Sequence, residues 1–333
     1  MKAVQITQYE KQIHTVLSEV EVPQIGPNEV LVQVKAAAVN PLELLILTGS
    51  VKLIQDYVMP LTLGNECAGI VEKVGAQVTG FAQGDRVYAR LPLEKIGAFA
   101  QYVAVDQGAL APMPAGYDFV TAAAIPLAGL TAWQGLHEEL EVRPGGSILI
   151  TGGSGSFGQL AVPLAKSMGL HVIVSGNARA RESVLAAGAD EYLDYRKERY
   201  WEQLAGLDYV LDTLGAGEFS QELSVLKEGG RLLSLRTGPN RAFAVKNHFS
   251  PAKRLLFSLA GLRYDRAAQK QGKEYRFLFV RADGRQLREI TRIVETKKIV
   301  PKVHPKTFSL QQADEALQLV AQGHPEGKVI LEL

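Results

Sequence analysis

The run Thr151-Gly152-Gly153-Ser154-Gly155-Ser156-Phe157-Gly158 closes a short apolar stretch, Ser147-Ile148-Leu149-Ile150, and opens a helical one at 157–168. Its glycines at 152, 155 and 158 recur every third residue. A dinucleotide phosphate needs three things at such a point: a tight turn, backbone without Cβ where the phosphate approaches, and a helix N-terminus aimed at it. This turn can supply all three, through Gly152, Gly155, Ser156, Phe157 and Gly158. The alternative is a structural turn without a ligand, and the flanking strand–turn–helix context argues against it. A serine nucleophile elbow, G-x-S-x-G, is excluded because Ser156 stands where Ser154 needs a glycine, and Ser154 where Ser156 needs one.

Outward from the turn, strand and helix patterns alternate. Residues 171–175, 191–194, 209–212 and 231–235 read as strands, and 180–187 reads as a helix. Parallel neighbours need long crossover connections, so this rhythm predicts a doubly wound parallel sheet. The first 120 residues or so differ. Short β patterns at 30–35, 68–75, 84–89 and 98–105, bounded by Gly and Pro, predict a small barrel or curled sheet. A helical stretch at 122–136 leads into the alternating region, and a helix at 286–297 and a strand at 328–333 close the chain. The segment 251–272 is basic and apolar together; an amphipathic surface helix is one reading, a membrane-surface or partner-docking helix the other.

At 333 residues the chain accommodates two domains. The formal net charge of +1 argues against a nucleic-acid-binding surface and against an acidic disordered chain. Cys67 is the sole cysteine, so neither an internal disulfide nor a multi-cysteine zinc site can form. That usage fits an intracellular protein. The apolar run 144–165 is broken by glycines and prolines, so no segment reads as an integral membrane span. The first ten residues carry no secretory pattern, and a cytoplasmic location, or import by a signal since removed, is expected.

The end of the second strand bears on cofactor choice. NAD sites place an acidic residue there to bond the ribose 2′-hydroxyl. None occurs between Gly158 and Glu182; the sequence reads Ser175-Gly176-Asn177-Ala178-Arg179-Ala180-Arg181. Arg179 and Arg181 beside a small polar loop suit a 2′-phosphate, so NADPH is the expected cofactor. The alternative, two cations on a solvated helix start, would oppose the helix dipole.

With these pieces in place the chain resembles the zinc-free, quinone oxidoreductase branch of the medium-chain dehydrogenases/reductases. The resemblance spans nearly the whole chain. It is carried by Asn40-Pro41-Leu42-Glu43, Leu63-Gly64-Asn65-Glu66-Cys67-Ala68-Gly69-Ile70-Val71, Gly84-Asp85-Arg86-Val87, Leu130-Thr131-Ala132, the glycine turn, Gly188-Ala189-Asp190, Leu211-Asp212-Thr213-Leu214-Gly215, Gly229-Gly230-Arg231 and Gly327-Lys328-Val329-Ile330-Leu331. Residues 275–284 and the basic segment before them look closest to bacterial relatives of the reticulon-interacting mitochondrial protein. The resemblance implies a Rossmann NADPH-binding domain (124–283) inserted into a GroES-like catalytic domain (1–123 and 284–333), and a homodimer. It implies cofactor contacts from Thr131, Tyr195, Gly238, Phe277, Leu278, Phe279 and Lys328, besides the turn and the Ser175–Arg181 loop.

Departures from the zinc alcohol dehydrogenases shape the expected chemistry. Their catalytic cysteine falls at about Val39 or Asn40 and their histidine at Asn65, and the stretch of their structural zinc lobe holds no cysteine here. No metal is therefore expected. Cys67 reads as a small buried residue, with a reactive thiol as the alternative. Without a Lewis acid, hydride delivery suits acceptors already electron-poor, namely quinones and α,β-unsaturated carbonyls. Asn40 matches the family's asparagine beside the nicotinamide. Tyr57 is the nearest tyrosine to the position of the acid in enoyl-reducing relatives; a plain core or surface tyrosine is the other reading. The histidines at 14, 137, 171, 248, 304 and 324 do not cluster, and none is assigned a role. Two rival functions stay open at this stage: a non-enzymatic NADPH-binding protein acting through partners, and an alcohol dehydrogenase with unusual zinc ligands.

Overall fold

The computed structural model describes residues 1–323 and 325–333; His324 lies outside the described residues. The chain divides into two compact units, Met1–Leu130 with Arg281–Leu333, and Thr131–Val280.

The first unit begins with β1 (Lys2–Ile6), β2 (Val16–Glu19), β3 (Glu29–Val39), α1 (Pro41–Leu47), β4 (Leu61–Thr62), β5 (Glu66–Val74), β6 (Arg86–Arg90), β7 (Tyr102–Asp106) and β8 (Leu110–Pro112). The valines expected on one face of 30–35 do line the core, but β3 runs on through Ala36, Ala37 and Ala38. Those alanines are buried on both faces, so no alternation marks them in sequence. α2 (Phe119–Ala123) and α3 (Pro126–Gln134) replace the single helix expected at 122–136, because Pro126 cannot continue the preceding turn. A π turn at Gly135–Glu139 follows. Together, 119–139 are long and apolar enough to cross a membrane by length and composition, a property missed in sequence, but most of that stretch is packed inside the protein.

The second unit holds β9 (Ser147–Thr151), α4 (Gly158–Ser167), β10 (His171–Gly176), α5 (Arg181–Ala186), β11 (Glu191–Asp194), α6 (Tyr200–Gln203), β12 (Leu207–Asp212), α7 (Phe219–Ser224), β13 (Leu226–Ser234), α8 (Arg241–Lys246), α9 (Pro251–Gln269) and β14 (Glu274–Phe277). Its sheet is parallel, in the order β11-β10-β9-β12-β13-β14. β9 is central, and the strand order reverses around it. The glycine turn therefore leaves the sheet at its topological switch point, where ligands of doubly wound folds bind. α9 makes the segment 251–272 a helix as expected, but its apolar residues lie on both its packed and its exposed sides, so it lacks the clean amphipathic division read in sequence. Ser250 caps it, Phe257, Gly261, Tyr264 and Ala268 are buried, and Leu255 and Leu259 stay 63% and 61% exposed.

The chain then returns to the first unit through α10 (Gly284–Lys297), α11 (Ala313–Ala321) and β15 (Val329–Glu332). Asp283 caps α10 by accepting from Arg285 N and Gln286 N, both at 3.0 Å. β15 pairs antiparallel with β3, setting Val329 opposite Val39. That register carries Lys328 to the neighbourhood of Asn40.

Candidate active site

The glycine turn in the second unit is fitted to its surroundings by its lack of side chains. Gly152 has φ +64°, in the left-handed region. A Cβ on Gly158 would lie 1.9 Å from Gly153 O, so the helix can start this close to the turn only as glycine. Gly155 differs: its Cβ would meet nothing nearer than 3.7 Å, so space in the protein does not explain it. α4 starts with Phe157 at its N-cap and no capping side chain, which leaves the first backbone N–H groups without a side-chain acceptor.

Beyond β10, Asn177 donates from Nδ2 to Ser154 Oγ at 3.3 Å, while its Oδ1 is buried without a partner. Arg179 is exposed. Arg181 donates to Tyr192 O at 2.8 Å. Ser175 is enclosed in β10. Gly176 and Asp194 are register partners, so the loops after β10 and β11 leave the sheet side by side. Tyr195, 55% exposed, sits there with the Arg196 guanidinium 5.8 Å from its ring centre. Arg196 was not singled out in sequence; its position beside a candidate tyrosine was the available signal. Gly238 has φ +131° and its carbonyl accepts from Tyr275 Oη at 2.5 Å. Phe277 is buried against Phe243, whereas Leu278 and Phe279, past the strand end, are half-buried. Thr131 is nearly buried on α3.

The first unit gathers a buried polar cluster. Asn40 caps α1, and its backbone N–H donates to Glu43 Oε2 at 2.7 Å. Glu43 Oε1 accepts from Asn65 N at 3.0 Å and Asn65 Nδ2 at 2.7 Å. Asn40 Nδ2 donates to Glu66 Oε1 at 2.9 Å, and Lys328 Nζ lies 2.9 Å from the same oxygen. Lys328 also donates to Asn40 Oδ1. Glu66 Oε2 accepts from Leu127 N at 2.6 Å. Glu43, Asn65, Glu66 and Arg90 are wholly buried. Burial pushes the Glu43 carboxyl up to about 7, against the hydrogen bonds from Asn65 and Asn40 and with the charge of Glu66 adding to the rise. Burial lowers Arg90 to about 10, opposed by Tyr57, Glu43, Glu66 and Glu94. Burial raises Tyr57 and so keeps its phenol protonated, with Arg90 opposing. Burial pushes the Cys67 thiol up to about 12.

Two family models match: "Alcohol dehydrogenase GroES-like domain" over residues 26–115, inside the first unit, and "Zinc-binding dehydrogenase" over 187–331, which runs from the second unit into the chain's return to the first. A 2-methylene-furan-3-one reductase of Solanum lycopersicum is 32% identical, covering 99% of this chain and 79% of that protein. The mitochondrial NAD(P)H oxidoreductase RTN4IP1 of Mus musculus is 31% identical over 92% of this chain and 82% of its own. The chain belongs to the medium-chain dehydrogenase/reductase family, in its quinone oxidoreductase branch. The crystallised quinone oxidoreductase from Coxiella burnetii superimposes on the whole chain and 99% of its own, with a TM-score of 0.84 and 26% identity.

In this medium-chain dehydrogenase/reductase, Asn40 and Asn65 are amides committed to buried carboxylates. Lys328, expected at a pyrophosphate, holds its ammonium in the Glu66–Asn40 pair instead of leaving it free. Sequence reasoning assigned no role to Glu43, Glu66 or Arg90. Glu66 had a signal: a lone carboxylate opening the apolar run Cys67-Ala68-Gly69-Ile70-Val71.

Proposed function

We propose that the chain is an NADPH-dependent, zinc-independent oxidoreductase that delivers hydride to quinones or α,β-unsaturated carbonyls. Relatives in the family carry names of that chemistry, including an NADPH-dependent alkenal/one oxidoreductase of Arabidopsis thaliana and a human quinone oxidoreductase. The observation that carries the acceptor class is the pair of amides, Asn40 and Asn65, where zinc relatives keep ligands. Both are buried, and both donate to glutamates. Amides so committed make weak metal ligands, and an acceptor activated by its own conjugation does not need one.

The second unit fits a nicotinamide dinucleotide. Gly155 leaves open space at the turn, α4 offers uncapped N–H groups, and Asn177 keeps a buried oxygen unpaired. The turn 152–158 would hold the pyrophosphate, and Asn177, Arg179, Tyr195 and Arg196 the adenosine end. Exposed arginines and no carboxylate after β10 favour the phosphorylated cofactor. Thr131, Gly238, Leu278 and Phe279 are proposed for the nicotinamide half. A bound dihydronicotinamide supplies the hydride. In the first unit, Asn40 stays fixed by Glu66 and Lys328, and Tyr57 holds a proton at Oη.

The test is NADPH oxidation, followed by cofactor absorbance, across a panel of quinones and enones. Tight NADPH binding without turnover of any acceptor would sink the reductase reading and leave a binding protein.

A further inference from the structure

Among the described residues, seven buried side-chain nitrogen or oxygen atoms have no hydrogen-bond partner, and four of them belong to Tyr57, Asn65 and Arg90. They are Tyr57 Oη, Asn65 Oδ1, and Nε and Nη2 of Arg90. These residues adjoin one another. Leu91 N donates to Asn65 O at 2.7 Å, Arg90 is the register partner of Glu66, and the Arg90 charge acts on the Tyr57 phenol. Native interiors seldom leave such groups unpaired, because each costs about 1–3 kcal/mol, and more when charged. A guanidinium sealed from water with two free N–H groups is a receptor kept ready for an acceptor atom.

The free pair is chemically specific. Nε–H and Nη2–H form one edge of the guanidinium, two parallel donors that converge on oxygen. Nη1 is used separately, on Leu91 O. The surrounding charge is uneven as well. Glu66 is taken by Lys328, and burial pushes the Glu43 carboxyl up to about 7, so the cluster of Lys328, Arg90, Glu66 and Glu43 is neutral when Glu43 is ionised and carries one net positive charge when it is protonated. Tyr57, whose phenol feels the Arg90 charge, belongs to a surface segment: it lies in sequence between Leu53, 52% exposed, and Val58, 88% exposed.

We propose that Arg90 is the electrophile for the acceptor, its Nε–H and Nη2–H receiving the carbonyl oxygen with the Tyr57 hydroxyl beside them. This rests on the reductase reading above. Hydride, one proton with two electrons, adds to the β-carbon of a conjugated carbonyl. The C=C π pair moves to make the enolate, whose negative oxygen is held by Arg90. A proton from Tyr57 Oη or from water then completes the reduced product. Arg90 supplies the positive charge that a metal supplies elsewhere, and it acts most strongly on the anionic oxygen, which is the condition for lowering a barrier.

The experiment compares wild type, R90K and R90M with one enone and one quinone, reading kcat, KM, NADPH Kd and Tm. Loss of one oxyanion donor costs on the order of 10²–10³ in kcat. R90M is expected to lose at least about a hundredfold in kcat and R90K, which keeps charge but not the fork, about tenfold. NADPH Kd should hold within about twofold, because the dinucleotide-binding turn belongs to the second unit. A second measurement needs no variant: benzoate, a planar anion like the enolate, should compete with the acceptor at least about tenfold better than neutral benzamide. If R90M fails to fold, R90K and the benzoate comparison decide. Wild-type kcat in a folded R90M or R90K, or equal inhibition by benzoate and benzamide, overturns the role of Arg90. A wild type that reduces no acceptor overturns the reductase reading instead.

Discussion

Glu66 and Arg90 stand directly opposite each other on the antiparallel β5–β6 ladder, yet the Glu66 carboxylate goes to Lys328, Asn40 and the Leu127 amide. Opposite charges at facing positions ordinarily pair. Here β15 brings in Lys328 as a competitor, and Arg90 is left with two donors to spare.

Lys328→Met should therefore destabilise the protein by about 3–5 kcal/mol, since it strands the Glu66 charge in the interior. Glu66→Gln combined with Lys328→Met should cost less than the two single changes added together. Urea denaturation measures this; additive losses would show that the ion pair is not coupled.

The glycines of the turn divide by what a side chain would meet there: Gly158 is packed against Gly153, and Gly155 borders open space. Gly158→Ala puts a Cβ 1.9 Å from Gly153 O and should lower Tm and cofactor affinity together. Gly155→Ala meets only an ordinary contact at 3.7 Å and should keep the wild-type Tm. It should still weaken NADPH by about tenfold or more, because the cofactor's phosphates need that space. Calorimetric titration with thermal melting separates the two; normal NADPH binding by Gly155→Ala contradicts the assignment of the turn.

Three arginines follow the ends of β10 and β11, and they should not be equal. Arg181 already spends a donor on Tyr192 O, whereas Arg179 and Arg196 are exposed. Arg179→Ala and Arg196→Ala should each weaken NADPH by about 1.5–3 kcal/mol, tenfold to more than a hundredfold, and leave NADH unchanged. Arg181→Ala should do less. Equal losses for both dinucleotides would reject the 2′-phosphate site.

Glu222 gives the second unit a pH dependence. Burial and the nearby Asp212 charge push its carboxyl up to about 9, and Thr151 Oγ1 donates to it at 2.7 Å. The native state thus keeps a proton that the unfolded chain releases above its ordinary value of 4.5. Stability from this group is complete below 4.5 and is lost as pH rises through about 9, by up to about 1.4 kcal/mol per pH unit. Glu43 adds a similar slope only up to about 7. Urea midpoints at intervals from about pH 7.5 to 9 should fall in wild type and stay flatter in Glu222→Gln.

Cys67 should be inert. It is 1% exposed, and its thiol is pushed up to about 12, so almost no thiolate exists near neutrality. Iodoacetamide should label it only after denaturation. Rapid labelling of the native protein would restore the reactive-thiol reading.

Much of the architecture was legible because it is written in local pattern. Glycine spacing at 152, 155 and 158 and the strand–helix alternation after it need only neighbouring residues to be read. Other elements were hidden for physical reasons. Ala36, Ala37 and Ala38 extend β3 without alternation because both faces are buried. Pro126 split a helix that composition drew as continuous. Asn40 was visible as a candidate from its motif, while Glu43 and Glu66, in the same quoted motifs, gave no hint of which amides and ammonium they would hold.

The sequence by itself determined the doubly wound sheet, the glycine turn after its first strand, the family and the asparagines at positions 40 and 65. All of these depend on residue type and short spacing. Only the tertiary structure decided where the charges went. Lys328 reaches Asn40 and Glu66 because the last strand pairs with β3, and Arg90 is left with Nε and Nη2 unpartnered because that lysine takes its facing carboxylate. In a buried site the outcome of such competition is set by which groups the fold brings within hydrogen-bond distance, and chain position carries no record of that.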